Sequence, residues 1–135
     1  MIDLDLARAL RDAGLRWTPL AGDQFTIEAP DLAGEVFTLS EMTVEAREYP
    51  TGTILGFNGT TEWALDSVSL EQALWLPRED QLRDLLGGAF RSLERDDDGI
   101  FWVSVAEGDG EPRTAAARDA ADAYAHALLA ELAAG

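Results

Sequence analysis

The sequence predicts an α+β fold, a twisted antiparallel sheet with helices packed on the sheet, in the order α, three to five β, α, β, β, α. Two observations predict this class. Apolar and polar residues alternate between about positions 24 and 57, as in strands that bury one face. Apolar residues at helical spacing occur near both ends and in the middle of the chain. Because short turns separate the strands, we expect neighbouring strands to pair antiparallel.

The first helix is predicted over residues 3–13. Asp3 can cap its N-terminus, because a carboxylate accepts hydrogen bonds from the free N–H groups of the first turn. Leu6 and Leu10 lie four residues apart and therefore share one face of the helix. Gly14 follows as a stop signal, since glycine readily adopts the left-handed conformation that ends many helices.

A meander of four or five antiparallel strands is predicted to follow. Asn58-Gly59 is the strongest turn signal, because these residue types accept the positive φ angles of a two-residue hairpin. Pro50-Thr51-Gly52 is predicted to form a second turn. The expected strands lie around residues 25–27, around 37–39, and over 43–49, 53–57 and 60–65.

Residues 66–76 are predicted to contain a short helical turn, since Ser69 and Gln72 have the spacing of a capping box. Pro77 is predicted at the first position of the second helix, where a missing N–H is tolerated. Gly87-Gly88 is expected to end that helix. Its apolar face is expected to comprise Leu82, Leu85 and Leu86.

The remaining residues predict a hairpin and a long helix. Strands are expected over residues 90–95 and 100–106, joined by an acidic turn at 96–99. Thr114 is predicted to cap a final helix that runs from Ala115 to about Ala133. The buried stripe of that helix is expected to contain Ala117, Ala121, Tyr124, Leu128 and Leu132.

Length and charge limit the possible functions. The chain has 135 residues, which fits one domain over residues 1–135. Its formal net charge is −16, and all ten basic residues are arginines. An acidic field of this kind repels nucleic acids and anionic membranes, so we expect neither as a partner, whereas a basic protein is compatible. Without a signal peptide or a long apolar segment, the cytoplasm is the expected location.

Residues for the common catalytic chemistries are missing from the sequence. The chain has no cysteine and one histidine, so a histidine-based triad, thiol chemistry and a zinc site are not expected. His126 is predicted on the exposed side of the last helix, roughly 200° around the axis from Tyr124. No glycine-rich phosphate loop occurs. We therefore predict no enzyme activity, no cofactor and no catalytic residue.

The segment 94–99 resembles the first half of a calcium loop, with acidic residues at alternate positions and a glycine at the sixth. The twelfth position of such a loop holds a glutamate that binds the ion with both oxygens, and here it is Val105. The flanking segments also predict strands. We therefore expect a tight acidic hairpin turn and no metal site.

The tryptophans indicate a candidate interaction surface. Trp75 stands between two leucines, directly before the helix that Pro77 is predicted to start. One interpretation is that Trp75 covers the core where that helix meets the sheet. The other is an apolar groove or dimer seam, since tryptophan is enriched at interfaces. The candidate surface comprises Trp63, Leu74, Trp75, Leu76 and Arg78.

The segments FNGTTEWALDSV (57–68) and ALWLPREDQLRDLLGG (73–88) resemble small acidic actinobacterial proteins that are often labelled pilus assembly protein CpaE. That label implies a nucleotide-binding ATPase, whose phosphate loop is missing here. Size, acidity and element order also resemble the type III secretion chaperones and their YbjN-like relatives. This second resemblance implies a dimeric binding protein without catalysis.

The sequence thus favours a non-enzymatic protein-binding domain, an adaptor or chaperone-like protein, that forms a homodimer and binds a protein partner. Two alternatives stay open. A small-ligand-binding module or carboxylate-dependent enzyme would hold two convergent acids with raised pKa values in a pocket. A nucleic-acid mimic would carry its carboxylates in rows and bind a basic protein.

Overall fold

The structure of the chain is a computed structural model that describes residues 1–29, 34–39, 44–49, 52–57, 67–69 and 72–134, with the strands over 44–49, 52–57 and 67–69 described by their backbone. The helices in these ranges are α1 (Leu4–Asp12), α2 (Glu79–Leu86) and α3 (Ala120–Ala134). The strands are β1 (Gln24–Ile27), β2 (Val36–Thr38), β3 (Val44–Tyr49), β4 (Gly52–Phe57), β5 (Ser67–Ser69), β6 (Ala73–Trp75), β7 (Phe90–Arg95), β8 (Phe101–Val105) and β9 (Arg113–Ala117).

These strands form three antiparallel sheets of three strands each, in the orders β2-β1-β6, β3-β4-β5 and β7-β8-β9. The helix α3 packs on β8 and β9. The α+β class, the antiparallel pairing and the packing of helices against a sheet are therefore confirmed. The strand numbers differ from the expectation, since six described strands precede α2 and three follow it before α3.

The chain divides into two compact units. The first contains Met1–Arg16 and Pro77–Gly135, and therefore the three helices with the sheet β7-β8-β9. The second is Trp17–Leu76 and contains β1 to β6. The single domain over residues 1–135 that the chain length favours stays a prediction.

The predicted first helix is confirmed. Asp3 is its N-cap, and the carboxylate accepts a hydrogen bond from the Asp5 N–H at 3.1 Å. Gly14 has a φ of +107°, a conformation that favours glycine and ends the helix. Ala7 and Leu10 are buried, whereas Leu6 is half-buried.

In the second unit, β1 is the central strand of its sheet, and Phe25 and Ile27 are buried together with Leu39 and Ala73. Within the segment 66–76, β5 and β6 occupy 67–69 and 73–75, and Gln72 between them lies in a 3₁₀ turn, as the predicted short helical turn requires. Residues 70 and 71, the rest of that predicted turn, lie outside the described ranges.

The hairpin of β3 and β4 has the predicted position. Its register pairs Tyr49 with Gly52, and β5 pairs with the other side of β4. Pro50 and Thr51 of the predicted turn lie outside the described residues. The turn at Asn58-Gly59 and the strand predicted over 60–65 lie outside the described residues.

The second helix begins later than predicted, at Glu79, with Arg78 as its N-cap and Pro77 before the cap. The Gln81 Oε1 accepts a hydrogen bond from the Arg78 N–H at 3.0 Å, which satisfies one donor at the helix start. Leu82 and Leu86 are buried, as expected for residues four apart. Leu85 is 42% exposed, so it does not belong to the buried face.

The hairpin of β7 and β8 is confirmed, and it joins α2 through a 3₁₀ turn at Gly87–Ala89. Its acidic turn is held by Asp96. One oxygen of this side chain accepts hydrogen bonds from the Asp98 and Ile100 N–H groups, each at 2.9 Å. Gly99 has a φ of +80°, as a tight turn requires.

The prediction of a final helix from Ala115 is wrong, because residues 113–117 form β9. All five residues of β9 pair with β8, and this pairing overrides the high helix propensity of alanine. The helix begins at Ala120, and Asp119, not Thr114, accepts the hydrogen bond from the Ala121 N–H at 2.8 Å. Ala121, Tyr124 and Leu128 are buried as predicted, while Ala117 lies in the strand and Leu132 is half-buried.

Candidate functional site

Two residues of the surface predicted from the sequence are buried. Leu74 and Leu76 are 1% and 0% exposed, so both are core residues. Their burial follows from the position of β6 beside the central strand β1 of a small sheet. Trp63 lies outside the described residues.

Trp75 is half-buried and stacks on Trp17, with ring centroids 6.5 Å apart and planes 9° apart. Its Nε1 is sealed from solvent and has no hydrogen-bond partner in the part of the chain that the structure describes. Arg78 is half-buried, and its Nε lies 3.2 Å from the Asp80 Oδ1, which lowers the pKa of Asp80. The two interpretations of Trp75, as a cover of the core and as part of a groove or dimer seam, both stay predictions.

A different candidate site lies at the outer edge of β9. The direction of the backbone groups in β8 follows from two hydrogen bonds near its ends. The Ala106 N–H donates to the Ala89 carbonyl at 2.7 Å, and the Ile100 carbonyl accepts from the Asp96 N–H at 2.9 Å. Because successive residues direct their backbone groups to opposite sides, even-numbered residues of β8 bond toward β7 and odd-numbered ones toward β9.

The same alternation identifies the free groups of β9. The register pairs Val103 with Ala115, so the odd-numbered residues of β9 bond to β8. The backbone groups of Thr114 and Ala116 therefore point outward from the sheet. Within the described ranges, neither residue has a hydrogen-bond partner for these groups.

The two edges of this sheet differ in their protection. The strand β7 has a bulge between Phe90 and Ser92 and carries three charged side chains, features that discourage pairing with a further strand. The strand β9 keeps a regular register, and after Arg113 it consists of one threonine and three alanines. Its outer edge is therefore open to another strand.

A cavity of about 240 Å³ lies beside this edge. Thr114 and Ala115 both line the cavity, although neighbouring residues of a strand face opposite sides of the sheet. This combination places the cavity along the edge of β9, with α3 as the opposite wall. The lining residues are Val105, Arg113, Thr114, Ala115, His126, Ala127 and Ala130.

The polar part of the cavity is Arg113 together with the carboxylates that hold it. The Arg113 Nη2 donates to the Glu131 Oε1 at 2.6 Å, and Nη1 donates to the Glu107 Oε1 at 3.4 Å. The Nε of Arg113 is sealed from solvent and has no hydrogen-bond partner among the described residues. The ion pair with Glu131 joins the start of β9 to α3 and fixes the two walls of the cavity. His126 is exposed, as predicted, and stands at the rim.

The face of this sheet away from α3 carries a row of exposed residues. Glu94, Trp102 and Ala116 are cross-strand neighbours in β7, β8 and β9, and all three are exposed. Trp102 is 40% exposed, and its Nε1 donates to the Asp96 Oδ2 at 2.8 Å. This hydrogen bond, with those from backbone N–H groups, lowers the pKa of Asp96. The indole ring therefore has a set orientation on the open face.

Among the side chains that the structure describes, no group of three or more His, Asp and Glu residues could hold a metal ion. No helix in the described ranges is long and apolar enough to cross a membrane. At the hairpin turn, both Asp96 oxygens accept hydrogen bonds from N–H groups of the protein, namely those of Asp98, Ile100 and the Trp102 indole.

Comparisons with protein-family models, curated proteins and solved structures found no match to this chain. The candidate site therefore rests on the geometry of β9 and its surroundings. Sequence reasoning missed this strand because Arg-Thr-Ala-Ala-Ala lacks alternation of large apolar and polar residues. Asp119 is a local signal for the later start of the helix, because aspartate is a preferred N-cap residue.

Proposed function

We propose that this chain is a non-enzymatic protein-binding domain, an adaptor or chaperone-like protein, that holds an extended segment of its partner along β9. The observation that carries the proposal is the outer edge of β9, where the backbone groups of Thr114 and Ala116 have no partner in the described ranges. An extended segment would add a fourth strand to the sheet, and its main chain would supply the hydrogen bonds.

The cavity beside β9 supports the same proposal. Side chains of an added strand alternate between the two faces of the sheet, so the residue opposite Ala115 faces α3 and the cavity. Ala115, Ala127 and Ala130 give that space a mostly apolar lining. We expect an apolar side chain of the partner to occupy the cavity and to fix the register of the segment.

The experiment is selection of peptides from a phage-displayed random library on the full chain, followed by calorimetry of the tightest peptide. Thr114→Pro removes an outward N–H that the fold does not use, and a proline is tolerated on a strand edge. We expect this variant to bind the peptide at least tenfold more weakly. Thr114→Val is the matched control, since it keeps the N–H, and it should bind like the unchanged chain.

Two results would contradict the proposal. The library yields no peptide that binds in solution, or the selected peptides bind the Thr114→Pro variant as well as the unchanged chain. In either case the edge of β9 is not the binding surface.

We also propose the homodimer and the cytoplasmic location that the sequence favours. The charge of −16 on each copy opposes association, so a dimer needs an interface that keeps the acidic groups apart. Multi-angle light scattering of the full chain tests the dimer, and a mass of one chain at all concentrations would contradict it.

A further inference from the structure

We propose that the segment bound along β9 presents an arginine or lysine opposite Ala116, and that its side chain crosses Ala116 to lie on the ring of Trp102. This inference rests on the proposed function, because it requires a strand paired with β9. It adds the chemistry by which the partner is recognised.

The register of the sheet supplies the geometry. Ala116 pairs with Trp102 across β9 and β8, on the face away from α3. Neighbouring strands are about 4.8 Å apart, so an added strand would lie about 10 Å from β8. The methyl group of Ala116 leaves the space between them open. The long stem of an arginine or lysine can cross it, whereas a short side chain cannot.

The orientation of the Trp102 ring is already fixed before a cation binds. Its Nε1 is bound to Asp96, which is itself held by two backbone N–H groups, so the ring does not have to be ordered on binding. Tryptophan is the best aromatic acceptor for a cation–π contact. Among the described residues, Arg95 lies over an aromatic ring, with its guanidinium carbon 5.6 Å from the centroid of Phe101. Phe101 and Trp102 are neighbours in β8, so their side chains lie on opposite faces of the sheet, and Arg95 does not cover Trp102.

The surrounding charge favours the same ligand. Glu94 stands at the far end of the row, directly opposite Trp102 on β7, and is exposed. A guanidinium or ammonium group over the ring would therefore lie between an aromatic face and a carboxylate. A second acidic copy of this chain fits this face poorly, whereas a basic segment fits it well.

The proposal predicts a two-residue pattern in the partner. The residue opposite Ala115 faces the cavity and is apolar, and its neighbour opposite Ala116 faces Trp102 and is basic. The two side chains lie on opposite faces of the sheet, so both can be bound by one extended segment.

The test uses the tightest peptide of the library, with arginine and then citrulline placed at each position in turn. Citrulline has nearly the same shape as arginine and no charge. At one position, next to the apolar anchor, we expect arginine to bind about fivefold more tightly than citrulline. Trp102→Ala should abolish this preference and leave the affinity for the citrulline peptide nearly unchanged. Leu85→Ala, which removes an equally exposed apolar side chain from α2, is the matched control and should keep the preference.

A second pair of variants tests the path across β9. Ala116→Leu fills the space between the edge and Trp102 and should remove the preference for arginine, whereas Ala116→Ser should keep it. Circular dichroism and the thermal midpoint of each variant establish that the fold is retained. A preference for arginine caused only by the net charge would persist in Trp102→Ala, and that result would overturn the proposal.

The outcomes separate this inference from the proposed function. Suppose that Thr114→Pro weakens peptide binding, but that arginine is preferred at no position in a way that depends on Trp102. That result overturns this inference alone. Peptides that are insensitive to Thr114→Pro overturn both. A dimer of the free chain that dissociates on Thr114→Pro would mean that a second copy occupies the edge, and this would also overturn both.

Discussion

At the scale of single residues, carboxylates of this acidic chain act as local acceptors for N–H groups. Asp3 and Asp119 cap the two helices α1 and α3, and Asp96 holds the hairpin turn. Asp23 accepts hydrogen bonds from the Trp17 Nε1 at 2.9 Å and the Leu20 N–H at 3.0 Å. Such bonds between a charged acceptor and an N–H donor are stronger than neutral ones.

Asp23 is 3% exposed, and one of its oxygens accepts both of these hydrogen bonds. We expect Asp23→Ala to lower the free energy of unfolding by about 2 kcal/mol or more, because two donors lose their acceptor. Asp23→Asn keeps one oxygen in place and should cost less. Urea denaturation followed by tryptophan fluorescence measures both. Equal losses in the two variants would contradict this explanation.

The lowered pKa of Asp96 gives a second prediction at this scale. Its largest cause is the hydrogen bond from Trp102, so Trp102→Phe should raise the pKa of Asp96 toward the ordinary value of 3.8. A lowered pKa in the folded state means that the contribution to stability is present above the unfolded-state value and is lost as the pH falls through the folded-state value. Titration of the side-chain carboxyl signals by NMR measures the pKa. The pKa of Asp80, which Arg78 lowers, should not change in this variant.

At the scale of elements, β9 shows how pairing overrides propensity. Three of its five residues are alanines, which favour helices, yet all five pair with β8. The helix α3 then covers the face of β8 and β9 that carries Val103 and Val105, both fully buried. Burial of this face and the ladder to β8 together stabilise the strand.

The alternation of backbone groups in β9 predicts losses of stability of different size for prolines at two neighbouring positions. Ala115→Pro removes an N–H that bonds to β8 and leaves a carbonyl of β8 without its donor, which should lower the free energy of unfolding by about 1–3 kcal/mol. Thr114→Pro removes an outward N–H and should cost much less. Thermal denaturation followed by circular dichroism compares the two variants. A larger loss for Thr114→Pro would mean that the outer edge of β9 is bonded within the fold.

At the scale of the whole molecule, the charge is unevenly divided between the two units. Residues 17–76 contain ten of the 26 acidic residues but only one arginine, Arg47. Repulsion among like charges opposes a compact state and is weakened by salt. The same field attracts basic partners and accelerates their association.

We therefore expect salt to stabilise this protein at neutral pH. Raising NaCl from about 0.01 M to about 0.3 M shortens the Debye length several-fold and should raise the thermal midpoint by several degrees. Differential scanning calorimetry measures the shift. Near pH 4.1, the calculated isoelectric point, the same change in salt should have little effect. A midpoint independent of salt at pH 7 would mean that ion pairs balance the repulsion.

Features that depend on neighbouring residues could be predicted from the sequence alone. The cap and stop of α1, the hairpin of β7 and β8 with its acidic turn, and the α+β class were all predictable, because their signals lie within a few residues. The net charge was also known from the sequence, and the helical position of His126 relative to Tyr124 correctly predicted its exposure.

The position of the candidate site, in contrast, follows from the pairing of strands in the folded chain. Leu74 and Leu76 look like a surface in the sequence, but they are buried because β6 pairs with β1, nearly fifty residues earlier in the chain. The local sequence of 113–117 favours a helix, but the segment forms a strand because it pairs with β8. The open edge of β9 and the row that ends at Trp102 arise from that pairing, since a residue's own sequence neighbourhood does not determine which strand lies beside it.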